Sequence, residues 1–314
     1  MATRVLVLGG GPDAEREVSI NSATAIADAL KFSGRYDVEL KIIDKLSVEQ
    51  LRAMPADVLV PYLHGPYGEG GPLQDVLEAD GRPFVGSGAL SSRLAMDKVS
   101  TKMAAVMLGV LTAPMFIYSS ADPRCPFPYP VVCKPVHEGS TVGLFVCADD
   151  AGWQRFRSAV EAERKGGVHR AYMIEPRIGG ASGGRELTVG VLDNQPLPII
   201  EIKPKDGLYD YDAKYKRSDT QYIIDPSLPG QLGEKLKADA VKLSRALQCR
   251  HISRVDFMLD QSGRASVLEI NTTPGFTDHS LVPKAARHLG MTMPDLCSKL
   301  VEMALRDGPV KKTL

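Results

Sequence analysis

Between His251 and Ser280 the chain reads HISRVDFMLDQSGRASVLEINTTPGFTDHS. Two strand-like runs, SRVDFMLD and ASVLEINT, are separated by a Gln-Ser-Gly turn, a pattern that closes as an antiparallel hairpin. Side chains alternate along a strand, so Glu269 and Asn271 share one face, and Asp256 on the first strand can lie opposite them. Three hard oxygen donors on one rigid face suit Mg²⁺, which keeps water and phosphate oxygens as its remaining ligands. The plain alternative is a solvated face with scattered acids. The apolar neighbours Val267, Leu268 and Ile270, and Arg254 on the same face as Asp256, weigh against it. The pattern points to phosphoryl chemistry.

The rest of the chain alternates strands and helices. RVLVLG ends in Gly9-Gly10-Gly11, and a helically spaced set, Ile20, Ala23, Ile26, Ala27 and Leu30, follows. Glycines between a strand and a helix bring backbone N–H groups near a ligand. The run lacks GxGxxG and a matching downstream acid, which excludes a dinucleotide-type oxidoreductase reading. VELKII and DVLVPYLHG supply further strands and LQDVLEAD a helix, predicting an open parallel α/β domain over residues 1–90.

GRPFVGSG reads as a short strand and turn. SSRLAMDKVSTKMAAVMLGV then reads as one helix, with Ser91 or Ser92 as its N-cap. Lys98 and Lys102 fall on one face of that helix, either solvated or touching phosphate. Lys134 closes the apolar strand of YPVVCKP, where an ammonium needs an anion. The loop HEGSTVG after it fits a glycine-rich flap over phosphates, or an ordinary hairpin turn. A helix is predicted from Ala151 to Arg164. Beyond it, Glu175 follows a short apolar run and Glu186 opens the next strand. LYDYDAKYKRSDTQY reads as a long loop of functional type. A helix ending near Gln248 precedes the hairpin, and helices close the chain.

Composition narrows the class. The 314 residues carry 38 basic and 38 acidic side chains. Residues 1–90 hold 8 Lys and Arg against 13 Asp and Glu, and the remainder 30 against 25. That modest basic excess suits an anionic small ligand and is too weak for nucleic acid. No apolar run is long enough to span a membrane. The N-terminus enters a strand without a signal-peptide pattern, so a cytoplasmic location is expected. The five cysteines form no CxxC pair, which argues against a disulfide framework or zinc site. Cys133 and Cys147 lie in apolar runs and read as buried thiols.

Taken together, GGGPDAEREVS, LHGPYGEGG, GSGALSSRLAMDKVSTK, VVCKPVHEGSTVG, GRELTVGVL, YDYDAKY, SRVDFMLD and LEINTTPGFTDHS resemble, in this order and spacing, the D-alanine–D-alanine ligases of the ATP-grasp superfamily. The resemblance covers nearly the whole chain. It implies an ATP-grasp fold, α/β and α+β, with the N-terminal open parallel α/β domain (1–90), a central domain (91–176) and a C-terminal domain carrying the metal hairpin (177–314). ATP would lie between the last two, and D-alanine where all three meet. The implied reaction joins two D-alanines through an acyl phosphate, for peptidoglycan precursor synthesis, with two Mg²⁺ ions for which Mn²⁺ could substitute. A ligase using another acceptor, such as D-lactate, is the alternative. The resemblance also implies a homodimer, with neither nucleic acid nor membrane as partner.

Residue by residue, the resemblance implies that Lys98 and Lys134 touch nucleotide phosphates and Lys214 the transferred phosphoryl group. Glu175, Ile178 and Glu186 would border the adenosine, and Asp256, Glu269 and Asn271 the metal ions. Glu15 would receive the first ammonium, tied to Ser140 and Tyr215, with His64 beside that substrate. Arg254 and the Gly275 backbone would stabilise developing charge, and Ser280 would hold the second carboxylate. The chain departs from the family at Pro176, in a longer Gly179–Gly184 stretch, at GEGG (68–71), and at Asp278-His279.

Overall fold

The computed structural model describes residues 2–139, 141–205 and 219–310. In chain order, β1 (Thr3–Gly10), α1 (Arg16–Phe32), β2 (Tyr36–Ile43), α2 (Val48–Arg52), β3 (Val58–Pro61), α3 (Gly65–Glu69) and α4 (Pro72–Asp80) build the first unit. Its parallel sheet has the order β2-β1-β3. Alternation along β1 explains the apolar run RVLVLG. Val5 and Val7 enter one core with Ile26 and Leu30 of α1, while Leu6 and Leu8 enter another with Leu51, Leu73 and Leu77. A parallel strand covered on both faces reads as continuously apolar for this reason. The strand expected in GRPFVGSG is reduced to a single bridge between Leu59 and Phe84.

The helix expected over 91–110 is two helices, α5 (Ala89–Met96) and α6 (Lys98–Met107). Asp97 separates them with extended backbone (φ −77°, ψ 106°), and its carboxylate accepts from the Val99 and Ser100 N–H groups at 2.8 and 3.0 Å. An Asp side chain offers the backbone this alternative to helix continuation. The residue capping α5 is Gly88, not Ser91 or Ser92.

A second sheet, antiparallel in order β4-β7-β5-β6, comprises β4 (Phe116–Ile117), β5 (Val131–Pro135), β6 (Phe145–Cys147) and β7 (Tyr172–Pro176). Helix α7 (Asp150–Lys165) packs Trp153, Phe156 and Val160 against Val131, Cys133 and Ile174. The third sheet has order β10-β9-β8-β11-β12, from β8 (Arg185–Leu192), β9 (Gln195–Lys203), β10 (Gln221–Ile224), β11 (Ile252–Leu259) and β12 (Ala265–Asn271). Helix α8 (Leu232–Ala246) lies against it. Two closing helices, α9 (Leu281–His288) and α10 (Met293–Asp307), join the core that includes β1 and α1.

Residues 91–107 open the stretch expected to form the central unit, and their apolar faces turn to the third sheet. Ala95 and Ala105 share a core with Leu187, Val255, Val267 and Leu243 of the third sheet and α8. Apolar burial decides this: the inner faces of α5 and α6 have that sheet as their neighbour.

Phe156 is fully buried and meets the rings of Tyr118, Phe145, Trp153 and Tyr172. Phe156→Ala is expected to lower unfolding free energy by about 3–5 kcal/mol, read from urea denaturation. A loss below about 1 kcal/mol would show that this ring cluster does not organise the second sheet.

Candidate active site

The hairpin predicted from the sequence forms, with Asp256 directly opposite Glu269 and Arg254 opposite Asn271. A bulge follows at Asp256/Phe257, where pairing steps from Glu269 to Val267. Asp256 is buried and receives the Thr188 hydroxyl at Oδ1. Arg254 approaches it side-on, Nε to Oδ1 at 2.9 Å and a terminal nitrogen to Oδ2 at 2.8 Å. The Asn271 Oδ1 accepts from the Thr273 N–H at 3.1 Å. Two carboxylates and an amide oxygen fit Mg²⁺ by donor type. Among the described residues no three His, Cys, Asp or Glu side chains form a metal-ligating group. The Asn271 amide is the third oxygen donor of the set, and in this structure Arg254 holds both oxygens of Asp256.

Facing the hairpin, a cavity of about 380 Å³ opens between the second and third sheets. Lys98, Lys134, Glu175, Ile178 and Glu186 all line it, as does Glu269. The break at Asp97 makes Lys98 the first residue of α6, with its stem buried. Its ammonium donates to the Glu138 carbonyl and lies 3.3 Å from Glu269 Oε2.

Glu175, expected beside the base, is committed to lysines. Its Oε1 is 2.6 Å from Lys134 and its Oε2 2.8 Å from Lys102. All three side chains are nine-tenths or more buried. Burial alone would raise the Glu175 pKa, but Lys134 and Lys102 outweigh it and hold it below its ordinary value of 4.5. Burial pushes the Lys102 ammonium the other way, below its usual value, although Glu175 opposes the shift. Lys102 thus neutralises Glu175 from the far side, which frees Lys134 to be shared with an anion in the cavity.

A second group of side chains gathers where the first unit meets residues 271–280. Gly10 turns the chain out of β1 at φ 103°, where a Cβ would sit 2.3 Å from the Ile43 carbonyl oxygen. Glu15 follows, buried just ahead of α1. A Cβ on Gly139 would lie 3.4 Å from Glu15 Oε2, so the backbone at Gly139 passes beside this carboxylate. His64 is buried with its Nε2 3.4 Å from the Ser22 hydroxyl, and burial pushes its pKa down to about 4. It is therefore neutral at pH 7. Ser22 also accepts from the Phe276 N–H at 3.2 Å, and Tyr62 donates to the Pro274 carbonyl at 3.0 Å. These bonds fix the loop bearing Gly275. The Ser280 hydroxyl accepts from the Thr277 N–H at 2.9 Å, and a Cβ on Gly275 would lie 3.2 Å from it. Asp278 and His279 are exposed, and Asp278 pairs with Arg287 at 2.7 Å.

Ser140, Lys214 and Tyr215 lie outside the described residues. Glu69, which the sequence reading did not assign, is buried and accepts from the Gly65 N–H at 3.1 Å. Burial, with the Glu15 carboxylate adding to it, pushes the Glu69 pKa up to about 8. The flanking glycines were the available signal: a Cβ on Gly68 would lie 2.4 Å from the Leu63 carbonyl carbon.

Known proteins match along the length of the chain. A family model described as "D-ala D-ala ligase C-terminus" matches residues 121–302. A D-alanine–D-alanine ligase of Syntrophotalea carbinolica is 39% identical over 306 residues, covering 95% of each chain. The crystal structure of a D-alanine–D-alanine ligase from Bacillus anthracis complexed with ATP superposes with TM-score 0.80 at 30% identity, covering 98% of each. The VanG D-Ala:D-Ser ligase of Enterococcus faecalis superposes at 0.81 over 97% of this chain and 100% of its own, at 24% identity, a likeness of fold alone.

The Lys102–Glu175–Lys134 cluster makes a stability prediction. Glu175→Ala leaves two buried ammoniums facing each other and is expected to cost about 3–5 kcal/mol. Lys102→Met keeps one ion pair and should cost less. Because the folded Glu175 pKa is depressed, the cluster's contribution is present above the unfolded value and is lost as pH falls through the folded one. Urea titrations of both variants at pH 7 and in acid measure this. Equal losses for the two variants would contradict the shared-charge arrangement.

Proposed function

The chain belongs to the D-alanine–D-alanine ligase family, and from that premise we propose that it joins two D-alanines at the expense of ATP. The observation that carries the reading is the opposition of the Asp256/Glu269/Asn271 hairpin face to the lysine-lined cavity. ATP would occupy that cavity, its base among the apolar side chains of Val132, Ile178, Met258 and Leu268, its ribose toward Glu186 and its phosphates toward Lys98 and Lys134. The proposed units are the first sheet, the second sheet and the third sheet, with the nucleotide between the last two.

Peptide-bond formation is uphill in water, so one carboxylate must be activated. An oxygen of the first D-alanine carboxylate attacks the γ-phosphorus, ADP leaves, and an acyl phosphate forms. The free amine of the second D-alanine attacks the carbonyl carbon, and phosphate leaves with the C–O bond electrons. Lys98 and Lys134 screen the phosphoryl oxygens. Asp256, Glu269 and Asn271 would hold Mg²⁺, which supplies charge neutralisation at the phosphates when bound. Glu15 receives the first ammonium, and neutral His64 packs beside that substrate. Arg254, released from Asp256, and the Gly275 N–H face the oxyanion of the second step. Ser280 meets the second carboxylate. The 137–143 loop beside Glu15 excludes water, which would otherwise hydrolyse the acyl phosphate.

Two measurements test this. Phosphate release with ATP, Mg²⁺ and a panel of D- and L-amino acids, with product mass determined, should show D-alanine as donor and D-alanyl-D-alanine as product. A mass corresponding to another acceptor would redirect the assignment within the family. Glu269→Ala should abolish Mg²⁺-dependent phosphate release while circular dichroism stays unchanged. Wild-type turnover in that variant would remove the hairpin from the metal site.

Lys98→Met should chiefly raise the ATP KM, and Lys134→Met should lower kcat. A lost charged phosphoryl contact is worth at least about 2–3 kcal/mol, roughly a 30- to 150-fold effect. Unchanged constants in the Lys98 variant would make that lysine a structural partner of Glu138 and Glu269 only.

A further inference from the structure

Strands β5 and β6 are the two arms of a hairpin, and Glu138, Gly139, Thr141, Val142 and Leu144 between them line the cavity. Cys133 sits on one arm and Cys147 on the other. Cys133 pairs with Phe145 and Val131 with Cys147, so the two cysteines are diagonal neighbours on one face. Their sulfurs are 3.9 Å apart, both thiols are free, and both are buried in the core formed with Trp153 and Phe156. Cys133 immediately precedes Lys134, whose ammonium meets Glu175.

We propose that Cys133 and Cys147 form a peroxide-responsive dithiol whose closure to a disulfide clamps the base of the 136–144 hairpin loop. In the first step the Cys147 sulfur attacks one peroxide oxygen. The O–O bond breaks, water leaves after proton transfer, and Cys147 becomes a sulfenic acid. In the second, the Cys133 sulfur attacks the Cys147 sulfur, the S–O bond breaks, and the thiol proton leaves with the hydroxyl as a second water. The two thiols are oxidised by two electrons and the peroxide is reduced by two.

Three features support these roles. The sulfurs must close from 3.9 Å to a bond of about 2.05 Å. Strand β6 is the three-residue edge of its sheet, which makes it the element most able to open and shift. Cys147 lies on that edge strand and Cys133 on the inner β5, so opening of the edge exposes Cys147 first, which favours it as the attacking sulfur. The partly exposed Cys125 borders an open groove of about 290 Å³ and packs against the same core, whereas Cys133 and Cys147 are buried, so their oxidation waits on opening of the edge strand. Cys125 is also the competing target.

The test uses the full chain and does not depend on ligation. The protein is treated with hydrogen peroxide, then alkylated, digested and mapped by mass. The expected result is that free thiols fall by two from five, with Cys133 and Cys147 joined and dithiothreitol restoring both. Cys125→Ser should leave this bond forming, and Cys147→Ala should abolish it. Should Cys147→Ala fold poorly, the map of the unsubstituted chain decides alone. Hydrogen exchange across residues 136–144 should slow in the oxidised protein. Oxidation confined to Cys125, or five persistent thiols, would overturn the dithiol assignment. Unchanged exchange in a protein with the bond formed would overturn the clamp.

Discussion

The buried charges of Lys102, Glu175 and Lys134 tie together elements that no single core unites. Helix α6, which supplies Lys102, packs with the third sheet, whereas β5 and β7, which supply Lys134 and Glu175, belong to the second. A buried carboxylate needs a partner, and one lysine would suffice for neutrality. The second lysine leaves the group with one positive charge beside a cavity of about 380 Å³. The same contact therefore fixes the distance between two sheets and sets the sign of the space between them. Hydrophobic packing holds each sheet internally; the ion cluster makes their relative placement specific.

The break at Asp97 is the second device of this kind. A continuous helix would run Lys98 on from Met96. The extended Asp97 instead starts a new helix axis, and Lys98 comes to lie between the Glu138 carbonyl and Glu269. Lys98 thereby touches the loop after β5 and the hairpin of β11 and β12 together. One side chain thus joins the loop after β5, the cavity and the hairpin.

The parts of the fold legible from the sequence were those written over short spans. Both strands of the hairpin bearing Asp256, Glu269 and Asn271 and its turn occupy 252–271, and pleat alternation fixed which side chains share a face. The strand β1 was legible because its apolar run is covered on both sides. The boundary inside 89–107 was not, because helical spacing continues across Asp97 and only the competing cap interrupts it. The partnership of Lys102 with Glu175 crosses 73 residues of sequence, and neither residue carries a local mark of the other. Family resemblance named Glu175 as a contact to the base; in the structure it lines the cavity, with its oxygens met by Lys102 and Lys134. Glu69 lay within a quoted motif, yet its proximity to Glu15 depends on how α3 is set against the chain leaving β1. Cavity-lining positions were thus easier to recognise than the side chains that hold them in place.

The polarity of the site follows from these placements. On the side of the first unit lie Glu15 and Glu69, and across from them Asp256 and Glu269. Toward the second sheet lie Lys134 and Lys102 around Glu175, with Lys98 at the boundary. Like charges gathered this closely raise one another's energy. Burial first, and the Glu15 carboxylate second, push the Glu69 pKa up to about 8, so this carboxyl tends to keep its proton. An ammonium brought to the acidic side and a polyphosphate brought to the basic side lower that energy. The site is thus acidic toward the first unit and basic toward the second sheet, with Arg254 on Asp256 and Lys98 beside Glu269 where the two meet.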